Sequence, residues 1–470
     1  MPFEKFEYNT KYNPGDFEDG ISINEWVKAE RHAQRAKQFY LAGDFVQATR
    51  ELRSAIAINP YNPSWHFNLA ITLDVMGDFE GAVESYRHVL ELAPEDLEAL
   101  NALGVDLTRL GRYQEALKYF EQAEQINPTF EPCYCNRIIT YTRMGDYDQA
   151  ETMFYLARQV KPECPLCLYN ISESLYERGE FHRAIACLKR VLELDPTHPH
   201  VNARIAETYW AMGELNLAKK YFLIELRNDP GDVDLLLELA GLLMEMGQLN
   251  QANEKYRRVL ELCPDHVDAH FGLGQLALLR GRLDEAEQQF RLVLWIDKHY
   301  RGAHQALAKV FLQQGKKRQA SIHLLAELRH AGEDTEALLE LGQLLIEVKK
   351  IDRANAVLRK LVSLQPDNPH AEHSLAVSYL LMGQLDEGIL HCRRALKLSP
   401  NSPLILYNLA QAHLQKGQVN RARRYIAKAL VQSPSDPQIR NLAGRLGVVG
   451  FWSTIKKRIR LRRRRDRIRK

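Results

Sequence analysis

Apolar residues recur along this chain at helical spacing, in short runs that break in the same way every 34 residues. In one such run Pro63 and Trp65 open a helix, Leu69, Ala70 and Leu73 form its apolar stripe, and Gly77-Asp78 turns the chain. A second helix follows, with Ala82, Tyr86 and Val89 on one face at steps of four and three. Ala82 allows a neighbouring helix to approach closely, and Tyr86 fills the space between neighbours. The turn glycine returns every 34 residues from Gly43 to Gly315 and again at Gly383 and Gly417. The small residue returns from Ala48 to Ala354 and at Ala422, and helix-stopping prolines return from Pro60 to Pro264 and at Pro366, Pro400 and Pro434. Twelve repeats therefore run from 29 to 436 without an insertion. No hairpin of this kind buries its own apolar faces, so the repeats must stack, and the fold class is all-α.

Leu100, Leu103, Gly104, Leu107, Gly111, Ala116, Phe120, Ala123 and Pro128 stand in the order of the tetratricopeptide repeat, and the chain resembles that family over 408 of its 470 residues. The resemblance implies an α-solenoid, a right-handed superhelix of helix-turn-helix repeats whose first (A) helices line a concave surface that holds other proteins. Departures cluster between residues 298 and 388. Lys298 and Gly332 replace the terminal proline, Lys349 the turn glycine and Gly388 the packing alanine. This stretch reads either as a softer or bent segment or as ordinary drift in a tolerant repeat.

Four segments follow. Residues 1–28 hold an irregular extension and the start of the first helix, 29–436 the repeats, 437–449 a capping helix, and 450–470 a basic, weakly amphipathic tail. Phe3, Phe6, Tyr8, Tyr12 and Phe17 are placed to cover the open face of the first repeat, and Ser22 or Asn24 to cap its first helix, with Glu25 in the opening turn.

Composition narrows the function classes. No apolar run approaches the ~20 residues of a membrane-spanning helix, and the start lacks the basic-then-apolar order of a secretion signal. Seven dispersed cysteines fit a reducing compartment. A cytoplasmic protein is expected, with a peripheral membrane position open to it through the tail. The net charge of +3 hides a split. Lys456, Lys457, Arg458, Arg460, Arg462, Arg463, Arg464, Arg465, Arg467, Arg469 and Lys470 face only Asp466, so the tail carries ten net positive charges and the rest of the chain seven negative ones. Phe451, Ile455 and Ile459 recur every four residues beside Trp452 and give the tail a short apolar edge. It suits an anionic membrane surface, nucleic acid, another protein or the chain's own acidic groove, or is a plain solvated tail.

Catalytic signatures are missing: no phosphate-cradling loop, no Gly-x-Ser-x-Gly elbow and no His-Glu-x-x-His. Gly272, Gly274 and Ala277 match a dinucleotide pattern, but inside a helix, where Gly274 serves close packing. Cys133, Cys135, Cys164 and Cys167 offer a four-thiol metal site, a redox pair or small core residues, and the last is the reading adopted. No catalytic residue, cofactor, metal or small-molecule substrate is assigned, and no enzyme activity is expected.

The resemblance places a groove along the A helices, carrying Tyr40, Phe67, Tyr169, Tyr176, Trp210, Met244, Phe271 and Tyr407. Glu173, Glu177, Glu207, Asp234 and Glu245 make its centre acidic, suited to an extended peptide bearing Lys or Arg, or simply a solvated charged face. Asn68, Asn136, Asn170 and Asn408 hold the sixth position of their A helices, where O-linked N-acetylglucosamine transferases use similar asparagines to bind a client backbone; only four of twelve repeats have one here. Asn170 and Arg204 match part of a chaperone-type carboxylate clamp, but Cys135 and Ile139 replace its first Lys and Asn, so no clamp is expected. The peptide-binding set is therefore Phe67, Asn68, Asn136, Tyr169, Asn170, Glu173, Tyr176, Glu177, Arg204, Glu207 and Trp210. A scaffold or adaptor is expected, the alternative being a regulatory subunit recruited to membrane or nucleic acid by its tail.

Overall fold

The computed structural model describes residues 23–329 and 332–448. The aromatic-bearing start, with Ser22, and the basic tail from Lys456 to Lys470 lie outside them. Among the described residues there are twenty-five helices and no strand. Twenty-four form hairpins, from Ile23–Leu41 with Phe45–Ile58 to Pro403–Gln415 with Val419–Gln432, and Pro437–Arg445 stands alone at the end. The described residues divide into two compact units, one ending at Leu235 and the other starting at Leu236, the division falling within the helix Val233–Glu245.

The turns follow from local chemistry. Gly77 takes a left-handed φ of 79°, which an L side chain resists, and Asp78 then accepts the Gly81 N–H and closes the open end of Phe79–Leu92. Asp44 and Asp146 do the same for Gln47 and Gln149. Lys349, in the glycine's place, still adopts φ 62°, so the turn survives the substitution.

Packing in the first half rests on fully buried Ala82, Val89, Ala116, Phe120 and Ala123, with Tyr86 among them. A Cβ on Gly104 would lie 2.5 Å from the Phe120 ring, so the ring occupies the space that the missing side chain leaves. In the second half Phe290, Leu307, Phe311, Leu324 and Leu358 do the same work, and Gly274 stands to Phe290 as Gly104 does to Phe120. At Gly388 the Leu380 side chain fills the place that the missing methyl would take.

Two A helices open late. Val201–Ala211 and Ala303–Gln313 begin after His200 (φ 60°) and Gly302 (φ 81°). In each, a buried glutamate 25 residues on accepts that residue's N–H: Glu225 from His200 and Glu327 from Gly302, both at 3.0 Å. A carboxylate there meets the unsatisfied donors and positive end of the helix. Asn24 lies inside the first helix and so does not cap it, while Glu25 sits in the first turn. At the other end Asp436 caps Pro437–Arg445, whose Ile439, Leu442 and Ala443 are buried with Leu406, Ala410 and Ile426.

The space at two glycines sets opposite expectations. Alanine gains up to about 1 kcal/mol of helix propensity over glycine, but at Gly104 it must displace the Phe120 ring, and overpacking costs about 1–3 kcal/mol. Gly104→Ala should lower the melting temperature followed by circular dichroism. Gly444→Ala, with nothing within 4 Å, should leave it unchanged or raise it.

Candidate functional site

The sequence-predicted residues that come together do so on two A helices, Pro165–Glu177 and Val201–Ala211. Arg204 is the centre. Its Cζ lies 5.6 Å from the Tyr176 ring centroid, and its Nη1 donates to Glu207 Oε2 at 2.5 Å. Burial works against the guanidinium, but the Glu207 and Glu173 carboxylates outweigh it and hold the charge. Tyr169 stacks on His198 at 5.3 Å, with its phenol pKa raised by burial, and Tyr176 meets Phe181 edge-on at 5.5 Å. Trp210 is half-buried, 6.3 Å from Phe222. Glu177 is exposed. The acidic reading of this stretch is thus weakened at one point, since Glu207 is half of an ion pair.

Other members are drawn inward. Phe67 is only 4% exposed and packs edge-on against Tyr86 at 5.4 Å, so it is a core residue. Asn68 and Asn170 are buried as well. The sixth-position asparagines bind the preceding A helix. Asn136 Nδ2 donates to Asn101 Oδ1 at 2.8 Å, Asn170 Nδ2 to the Cys135 carbonyl at 3.0 Å, and Asn408 Nδ2 meets His373 Nε2 at 2.8 Å. Gln305 to Glu340, 2.6 Å, is the same contact from the other side. Each joins the fifth residue of one A helix to the sixth of the next. Before Asn68 the fifth residue is Ala33, and Asn68 Oδ1 is buried without a hydrogen-bond partner.

The thiols depart from the sequence reading. Cys135 and Cys167 are joined in a disulfide, so they are not simply reduced core residues, whereas Cys133 donates its S–H to the Phe130 carbonyl at 3.0 Å. Gly272 and Gly274 lie inside Val267–Leu279, where a Cβ would run into Tyr256 and Phe290, so packing explains both.

A further cluster went unread in the sequence. Asp106 is buried beside Asp74 and Arg109, its Oδ1 accepting from Arg109 Nη1 at 3.1 Å. Burial first, and then the Asp74 charge, push its carboxyl up to about 7. Its partners come from different A helices, and each is separately a normal surface residue in sequence. The helix register, Asp74 near the end of one A helix and Arg109 at the end of the next, was the available signal.

Family models described as tetratricopeptide repeat match residues 64–129, 107–167, 175–223, 237–298, 306–369, 339–403 and 379–446. No curated protein matches the chain. Among solved structures, it is similar to the Cut9 and Hcn1 hetero-tetramer of the APC/C, at 15% identity over 89% of this chain and 96% of that one, with a TM-score of 0.43. It is similar to yeast Tom70 at 16% identity over 92% and 96%, TM-score 0.40, and to a thermophilic repeat protein of Thermus thermophilus at 23% identity over 39% and 99%, TM-score 0.34.

Removing a buried donor leaves its acceptor unsatisfied, at about 1–3 kcal/mol. Asn170→Ala should therefore destabilise the first half more than Asn136→Ala, whose side chain is partly exposed, in denaturant titrations. For Asp106 the folded pKa lies above the unfolded one, so the folded chain holds the proton more tightly. Its contribution is full at low pH and declines as pH rises from about 4 to about 7. The stability difference between wild type and Asp106→Asn should change over that window and be flat above it.

Proposed function

Because the chain belongs to the tetratricopeptide repeat family, whose repeats build protein-interaction scaffolds, we propose that it is a non-catalytic adaptor that holds an extended segment of a partner protein along its A helices. The contact centre is the group Tyr169, Glu173, Tyr176, Arg204, Glu207 and Trp210. The observation that carries this reading is Arg204, half-buried, charged and laid over Tyr176 while paired to Glu207. Aromatic and arginine side chains with a desolvated body and a wet polar edge are the groups that dominate protein interfaces.

Two adjacent A helices supply these groups at partly open positions, which suits an extended peptide. Glu177 favours a cationic residue in it, with Glu207 and Glu173 already facing Arg204. Asn136 and Asn170 support the surface from below, by fixing neighbouring A helices to each other.

No helix among the described residues is long and apolar enough to cross a membrane. In this proposal the protein acts in the cytoplasm, and the cationic tail localises it.

The test is proximity labelling in the native cell with three chains. Tyr176→Ala with Trp210→Ala should lose part of the labelled set, and an isolated partner should bind that variant about thirtyfold or more weakly, the effect of losing a dominant contact of about 2 kcal/mol. Deletion of 451–470 should keep partner capture and change where labelling occurs. An unchanged set in the double variant would reject the groove, and loss of every partner on tail deletion would favour the recruited subunit.

A further inference from the structure

Four ligating side chains of two consecutive A helices converge in the first half. Glu131 opens the helix Glu131–Met144, and Cys135 lies one turn further along it. Cys164 caps the helix Pro165–Glu177, and Cys167 lies in its first turn. Their donor atoms all fall within 4.8 Å of one another, and the three sulfurs are buried. Cys135 Sγ lies 3.9 Å from Cys164 Sγ and 3.5 Å from Glu131 Oε1, and Cys167 Sγ lies 3.8 Å from the same Oε1.

Those separations are the edges of a coordination tetrahedron. Zinc binds thiolate sulfur at about 2.3 Å and carboxylate oxygen at about 2.0–2.2 Å, so tetrahedral angles set sulfur–sulfur edges of about 3.8 Å and sulfur–oxygen edges of about 3.5–3.7 Å. Of these separations and the one between Cys135 and Cys167, the last falls short of such an edge, because the two sulfurs are joined to each other.

We propose that Glu131, Cys135, Cys164 and Cys167 form a zinc(II) site of the reduced chain, and that the Cys135–Cys167 disulfide is its closed, metal-free state. Three thiolates and one carboxylate in a tetrahedron are a zinc donor set. The surroundings prepare the ligands. Lys161 Nζ pairs with Glu131 Oε2 at 3.5 Å, turning the other carboxylate oxygen toward the sulfurs and offsetting part of the site's negative charge. The Cys167 N–H points at Cys164 Sγ from 3.2 Å, so a backbone donor at the helix N-terminus is already aimed at that sulfur. Cys133, two residues from Cys135, is bonded to a backbone carbonyl and takes no part.

Passing between the states balances as follows. A thiol or phosphine reductant supplies two electrons, the sulfur–sulfur bond breaks, and two protons taken from solvent make Cys135 and Cys167 thiols. Binding of Zn²⁺ then releases three thiol protons to solvent and forms three sulfur–zinc bonds and one oxygen–zinc bond. The bound ion ties one repeat to the next at the same place as the disulfide.

The experiment uses the full chain, stripped of metal by a chelator and titrated anaerobically with Co²⁺ and then Zn²⁺, in reduced and oxidised form. The reduced chain should bind one equivalent of Co²⁺ with sulfur-to-cobalt charge transfer and the visible bands of tetrahedral cobalt, lost on adding Zn²⁺; the oxidised chain should bind none. Cys164→Ser should weaken binding more than about a hundredfold, beyond the range for loss of an outer partner, and Glu131→Gln by about tenfold or more with charge transfer retained. Cys133→Ser should change nothing. Helix content of each variant is followed by circular dichroism, and Cys167→Ser replaces Cys164→Ser if the latter does not fold. A reduced wild-type chain without charge transfer overturns the proposal by itself, as does a Cys133→Ser loss equal to that of Cys164→Ser. Either failure leaves the partner-capture result intact, so this site and the groove are judged separately.

Discussion

A two-helix hairpin of this sequence carries apolar surface on more sides than its own partner helix covers, and the structure depends on that imbalance. Within each half an A helix packs on its own B helix and on the B helix before it, as Leu97–Arg109 does on Tyr113–Ile126 and Phe79–Leu92, so burial passes from hairpin to hairpin. The closeness of the approach is set by paired sizes: Gly104 with Phe120, Gly274 with Phe290 and Gly342 with Leu358. A small residue on the A helix admits a large one from the B helix, and neither can change alone without leaving a cavity or a clash.

Polar side chains add register to this apolar stacking. The contact from the fifth residue of one A helix to the sixth of the next is made by amide to amide at Asn101 and Asn136, amide to backbone carbonyl at Asn170, and amide to imidazole at Asn408. The chemistry varies while the geometry holds, because position along the helix decides who meets whom. The same constraint limits the groove: an asparagine used to join two repeats has fewer hydrogen bonds left for a ligand. At Asn68, opposite Ala33, the joining partner is missing and the amide oxygen stays unsatisfied.

Helix and turn positions were legible from the 34-residue period because the period reports local chemistry: a left-handed glycine, a capping aspartate, a stopping proline. Lys349 illustrates the limit of such reading, since the neighbouring hairpins hold a lysine in the glycine's conformation. Site residues were legible only as faces. Phe67 and Tyr169 share the fifth position, yet one is core and the other half-open, because Tyr86 meets the first and His198 the second. Of the four thiols near one another in sequence, the structure brings three together with a carboxylate. Glu131 replaces Cys133, since one helical turn separates Glu131 from Cys135 and places them on one face, whereas residues two apart diverge.

The late-opening A helices show how a repeat tolerates the loss of a local signal. Several A helices are closed at the start by a neighbouring Asp, Asn or Cys side chain, as at Asn62, Asp96, Cys164 and Asn368. Before Val201 and Ala303 no such cap acts, and the backbone N–H of the residue ahead of each helix is instead met by a carboxylate from the following B helix. Glu225 and Glu327 occupy the same repeat position, so the substitute is itself periodic even though it recurs only twice. Glu327 meets the Gly302 and Gln305 N–H groups with its two oxygens, so its burial is matched by donors that would otherwise be unsatisfied, whereas Glu225 meets the His200 N–H with one oxygen and keeps Oε2 buried without a partner. The cap has thus moved from a residue adjacent in sequence to one adjacent in space, and in these two repeats the start of the A helix depends on the B helix being docked.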